Sequence, residues 1–198
     1  MYNTFSKETE RIYRLCVPFE KIYTSVFLIV TEDRLILVDT ATTDSDVDEC
    51  IIPALNKMGY TLSDIDTLVI THKHCDHFGG LDRILHHNPK IKTVDQVTEL
   101  SDGIYTYPLA GHTLECIGVL DVSSNTLISA DGLQGAGVDK YRCYTKSKEA
   151  YIETLNRIKN DTRIQNVLFS HDYEPWNVNR IFGRDNVLDC IEECKKYI

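Results

Sequence analysis

The chain has 198 residues, a net charge of −9, and 42% hydrophobic and 26% charged residues, a balance suited to a single globular domain over 1–198 with a sizeable core. That acidity argues against a broad phosphate-binding surface, and so against nucleic acid as a partner. The longest apolar stretch, Val26 to Val30, is too short to span a membrane, and Met1–Lys7 lacks the apolar core of a signal peptide. The seven cysteines are odd in number, scattered, and form no C-x-x-C pair, so a reduced, cytoplasmic protein is expected.

In chain order, residues 11–17 and 22–30 are rich in β-branched and aromatic side chains and read as strands. Thr31-Glu32-Asp33 turns the chain, and Arg34–Asp39 runs back as a hairpin partner. Asp39 closes an otherwise apolar strand, as a cap or turn former or as a polar group aimed at a site. Ser45-Asp46 reads as the cap of a helix through about residue 58, with Val47, Ile51, Leu55 and Met58 on one face. Pro53 is expected to kink or break that helix, and Gly59 to close it. A short strand over 67–71 follows.

Next comes Thr71-His72-Lys73-His74-Cys75-Asp76-His77-Phe78-Gly79-Gly80, the densest run of ligand-type side chains in the chain. On an extended backbone His72 and His74 share a face. Asp76 and His77 are consecutive, so a turn is needed to bring them together, and Gly79-Gly80 is read as permitting it. Imidazoles and carboxylates in this density point to a metal site for zinc, iron or manganese. Cys75 is assigned to packing. Leu81, Ile84 and Leu85 open a helix that carries His86 and His87 in its last turn.

Strands are expected over 104–109, 114–120 and 126–130, with Asn125 at a turn. His112 follows Ala110-Gly111, and Asp131 closes the third of these strands. The segment 132–148 is glycine-rich, then basic and aromatic, and reads as a surface loop; Gly135-x-Gly137 is a weak phosphate-loop signal. A helix from Tyr151 to about Asn160, a strand over 166–170 ending at His171-Asp172, and a C-terminal helix bearing Val187, Ile191, Cys194 and Ile198 complete the chain. Cys190 and Cys194, one turn apart, suit packing rather than bridging.

H-x-H-x-D-H-x-G-G at 72–80, Gly111-His112, Ser129-Ala130-Asp131-Gly132, Ser170-His171-Asp172 and Leu35–Thr40 resemble, in order, the signatures of the metallo-β-lactamase superfamily. The resemblance runs from about residue 20 to 175. It implies an α+β, four-layer αββα sandwich of two mixed sheets covered by helices, with two divalent metal ions, zinc first. His72, His74 and His112 would hold one metal and Asp76, His77 and His171 the other. Asp131 would bridge them, and Asp39 would support the ligands from behind.

Such a centre makes a hydroxide nucleophile near neutral pH, and Asp76 can orient it and pass its proton to the leaving group. The function expected is hydrolysis of an ester-like, thioester, lactone or phosphoester bond in a small-molecule substrate. Secreted β-lactamases often place a cysteine where Asp131 stands. Glyoxalase II members add a helical C-terminal domain, whereas fewer than thirty residues follow His171 here. Lactonases place a tyrosine where Gln134 stands. The alternative is a persulfide dioxygenase-like enzyme, holding one iron through His72, His112 and Asp131. Phe78 and the segment Tyr141, Arg142 and Tyr144 are the expected substrate contacts, as an entrance wall and an aromatic, basic lid. Oligomeric state is left open.

Overall fold

Strands β2 (Ile12–Phe19) and β3 (Ile22–Val30) pair antiparallel along their whole length, Ile12 opposite Ile29 and Phe19 opposite Ile22. The computed structural model describes residues 3–133, 145–171, 179–196 and 198. Its contacts divide into two compact units, Met1–Asp95 and Gln96–Ile198.

The first unit is built on a six-stranded mixed sheet in the order β1-β2-β3-β4-β5-β6. Strand β1 (Ser6–Lys7) lies at one edge, β4 (Leu35–Val38) pairs antiparallel with β3, and β5 (Thr67–Val69) and β6 (Lys92–Val94) continue in parallel. Alternation decides what each face carries: Leu15, Val17, Val26, Leu28, Leu37 and Leu68 join Val47, Ile51, Ala54 and Leu55 in one core cluster. Burying each such side chain contributes roughly 1.5–3 kcal/mol.

The first helical segment begins two residues before the expected cap. Thr43 is the N-cap, and Asp46 completes a reciprocal capping box. The winding runs through α1 (Asp44–Asp46), a π-helical turn (Val47–Ile51) and α2 (Ile52–Lys57). Pro53 does not break it. A proline cannot donate to the carbonyl four residues back and crowds it, and the wider π turn just upstream, closed by the Ile52 N–H on the Val47 carbonyl, accommodates that loss. Gly59, at φ +84°, ends the helix as expected: its N–H bonds to the Asn56 carbonyl and that of Tyr60 to Leu55, the two bonds of a Schellman cap.

The second unit has its own six-stranded mixed sheet, ordered β12-β11-β10-β9-β8-β7. Its strands are β7 (Glu99–Ser101), β8 (Ile104–Pro108), β9 (Ile117–Asp121), β10 (Thr126–Ala130), β11 (Asn166–Phe169) and β12 (Arg180–Phe182). Only β10 and β11 run parallel. Strand β9 starts later than expected, and Leu114 is exposed in the loop before it. Helix α5 (Lys148–Asn160), capped by Ser147, and helix α6 (Arg184–Lys195) bury Tyr151, Leu155, Ile158, Val187, Ile191 and Cys194 in a second cluster. Cys190 and Cys194 are buried and not bridged to each other, and Ile198, beyond the helix end, packs on the same cluster. No helix among the described residues is long and apolar enough to cross a membrane.

Candidate metal centre

In each unit a pair of parallel strands delivers polar side chains to one sheet edge. In the first, Val38 at the end of β4 lies opposite Val69 at the end of β5, so Asp39 and Thr71-His72 leave the sheet side by side. Asp39 has φ +66°, a left-handed conformation that aspartate enters more readily than most residues. Its Oδ1 accepts the Thr71 N–H at 2.8 Å, and its Oδ2 accepts the Thr71 hydroxyl at 2.9 Å and lies 2.7 Å from Nδ1 of His77. Asp39 and His77 are fully buried. The two readings of Asp39 left open by the sequence therefore meet in one residue, which shapes the strand exit and holds a site histidine.

These bonds favour one tautomer of each neutral ring. A carboxylate only accepts, so His77 Nδ1 donates to Asp39, and in the neutral ring its Nε2 is left with a lone pair. The Thr71 hydroxyl has spent its hydrogen on Asp39, so at 3.1 Å it accepts from His72 Nδ1, and in the neutral ring the His72 Nε2 lone pair faces His74. His77 Nε2 stands 3.4 Å from Asp76 Oδ2, and His72 Nε2 stands 3.1 Å from His74 Nδ1. A lone pair facing a carboxylate oxygen in a buried site is repulsive unless a cation sits with them. This donor set of neutral imidazoles and a carboxylate fits zinc or a similar divalent ion.

The turn that brings Asp76 and His77 inward is α3 (Cys75–Phe78), one helical turn that begins after the extended His74. Cys75 does not pack. It is exposed, because the turn that buries Asp76 and His77 sends its first residue outward. Phe78 is also exposed, at 36%. Glycine at 79 is required for a different reason than expected: its φ is an ordinary −64°, but an added Cβ would overlap the Thr42 carbonyl oxygen and stand 2.5 Å from that of Cys75. Gly79→Ala is expected to lower the unfolding free energy by about 3 kcal/mol, the upper range for overpacking, because backbone cannot swing aside as a side chain can. Urea titration of the two proteins measures it; a change under about 1 kcal/mol would mean that this loop yields.

In the second unit β10 and β11 run parallel with Ala130 opposite Phe169, so Asp131 and His171 leave the sheet together. Strands β8 and β9 alternate in direction beside them, which puts the β8–β9 loop, with His112, at the same edge. The Asp131 carboxylate lies between the two rings, Oδ2 3.4 Å from His112 Nε2 and Oδ1 3.2 Å from His171 Nε2. All three residues are buried. Tyr141, Arg142 and Tyr144, the expected lid, lie outside the described residues, as do Gln134 and the Gly135-x-Gly137 signal. His86 and His87 end α4 (Leu81–His87), away from this chemistry; His87 is 3.7 Å from Asp48. Sequence reasoning singled out neither Thr71, which orders the two rings, nor Thr24, whose hydroxyl donates to Asp76 Oδ2 at 3.0 Å.

Residues 21–99 match the family model of the metallo-beta-lactamase superfamily. A hydroxyacylglutathione hydrolase of Vibrio cholerae is 27% identical over 170 residues, 77% of this chain and 63% of its own length. A beta-lactamase-like protein 2 homolog of Caenorhabditis elegans is 28% identical over 171 residues, 74% of this chain and 56% of its own. The chain thus spans about three-fifths of the length of the curated relatives it matches. A metallo-beta-lactamase of Erythrobacter litoralis, solved with beta-mercaptoethanol in its active site, superposes with a TM-score of 0.71 at 20% identity, over 96% of both chains. That likeness shows the αββα fold expected from the sequence. The chain thus has the metallo-β-lactamase fold, and its residues 21–99 match the model of that superfamily.

Proposed function

We propose that this protein is a metal-dependent hydrolase of small molecules, in which residues 1–198 work as one domain and both ligand clusters serve one dinuclear centre. His72, His74 and His112 hold the first ion, Asp76, His77 and His171 the second, and Asp131 both. The observation that carries the reading is the buried grouping of ligand atoms, with His77 Nδ1 anchored on Asp39 and its Nε2 turned toward Asp76 Oδ2 at 3.4 Å. When bound, divalent ions supply Lewis acidity and lower the pKa of water to about 7.

The chain's own residues do the rest. Asp39 and Thr71 orient His77 and His72, and Asp76 accepts a proton from the attacking water and returns it to the leaving group. Cleavage of an ester-like, thioester, lactone or phosphoester bond fits this chemistry. The thioester comes first, because curated relatives are named hydroxyacylglutathione hydrolases. The six cysteines among the described residues form no disulfide, which suits a reducing, cytoplasmic setting.

The test is metal content by elemental mass spectrometry on untagged protein, followed by a panel of acyl thioesters, esters, lactones and phosphoesters. Two zinc, manganese or iron ions per chain are expected, with hydrolysis abolished by chelator and restored by zinc. One iron per chain, with oxygen uptake on persulfides and no hydrolysis, would replace this reading with the dioxygenase-like one.

A further inference from the structure

We propose that Thr24 is a positioning residue for Asp76: its hydroxyl fixes which carboxylate oxygen faces His77, and so how the carboxylate is presented to the metal and the reacting groups. The inference rests on the hydrolase reading above. Thr24 lies near the start of β3, which runs antiparallel to β4, so it reaches the same sheet edge as Asp39. It shares a strand face with Val26 and Leu28, both in the core, and is itself wholly buried. At such a position a valine suits the strand better, because a buried alcohol costs free energy unless it is hydrogen-bonded. The hydroxyl finds its partner 52 residues on, donating to Asp76 Oδ2 at 3.0 Å.

Asp76 needs such a partner. Its backbone belongs to a single four-residue turn, and an aspartate carboxyl rotates about χ2 through a broad two-fold well. Left alone, either oxygen can turn to His77. With Thr24 donating to Oδ2, the oxygen that also lies 3.4 Å from His77 Nε2, the carboxylate plane is set against both β3 and the ring. Asp39 fixes the histidine from one side and Thr24 fixes the aspartate from the other. The pair of neighbouring ligands is thereby held by two strands rather than by their own short helix.

Thr24→Val keeps the shape and removes the hydroxyl, whereas Thr24→Ser keeps the hydroxyl. Zinc affinity is read by competition with a chromophoric chelator, and kcat and KM on the best substrate of the panel. Thr24→Val is expected to weaken the more loosely held zinc about 10–100-fold, as loss of a partner behind a ligand does. It should also lower kcat with little change in KM, while the metal-free protein melts no lower than wild type. Thr24→Ser should restore most of both. Should Thr24→Val not fold, Thr24→Ala supplies the same comparison. Two zinc ions held equally well by wild type and Thr24→Val would overturn the assignment, as would a serine variant as impaired as the valine one. A wild type that takes up no metal would overturn the hydrolase reading first, and this inference with it.

Discussion

Asp131→Ala is expected to purify with less metal than wild type and to lose hydrolysis by about three orders of magnitude. The two oxygens of Asp131 face different histidines, Oδ2 toward His112 and Oδ1 toward His171. In the proposed ligand set, removing it leaves one ion with three neutral imidazoles and no anionic ligand, and the other with Asp76 as its sole carboxylate. Metal chemistry contributes several kcal/mol of transition-state stabilisation, and each ~1.4 kcal/mol is a factor of ten in rate. His112→Ala is the informative partner, since it removes one nitrogen and leaves the carboxylate. It should deplete one ion where Asp131→Ala depletes both. Elemental analysis beside a thioester assay separates the cases. Full metal content in Asp131→Ala would refute the bridging role, whatever happened to the rate.

What was legible in the sequence was what chemistry writes densely. Three histidines and an aspartate in six residues, placed after an apolar strand, announce a site at a sheet edge without any neighbour being known. The strands around it were legible for the same local reason, alternation and β-branched side chains. Asp39 was visible but ambiguous, because a carboxylate at a strand end serves a turn and a site equally well, and only its contacts with Thr71 and His77 separate the two. Thr24 was invisible. A threonine in a strand is ordinary, and its meaning lies in a residue 52 positions away. Gly79 was read through conformational freedom when its requirement is close approach to Thr42, a tertiary fact. Cys75 was assigned to packing because better-placed ligand residues flank it, but one helical turn cannot bury every side chain it carries.

Asp39→Asn should cost about 10–100-fold in metal affinity, as loss of a histidine's supporting partner does, while the chain still folds. Asparagine tolerates the left-handed backbone at φ +66°, so the strand exit survives. Its amide oxygen can still accept the Thr71 N–H. Its amide nitrogen then stands where Oδ2 accepted from both the Thr71 hydroxyl and His77 Nδ1, a donor set against two donors. His77 escapes by moving its proton to Nε2, which points that proton at Asp76 and withdraws the lone pair the centre needs. The Thr71 hydroxyl must likewise turn away, and its turning frees His72 from its fixed tautomer. Stability should fall by about 1–3 kcal/mol, the range for one buried hydrogen bond left unmade, so the loss of metal will exceed anything unfolding explains. Chelator competition measures the first quantity and denaturant titration of the metal-free protein the second. Unchanged zinc affinity in Asp39→Asn would mean that something other than this carboxylate chooses the tautomer of His77. A large fall in affinity with the fold intact would instead trace the site's metal preference back to one aspartate at the end of β4.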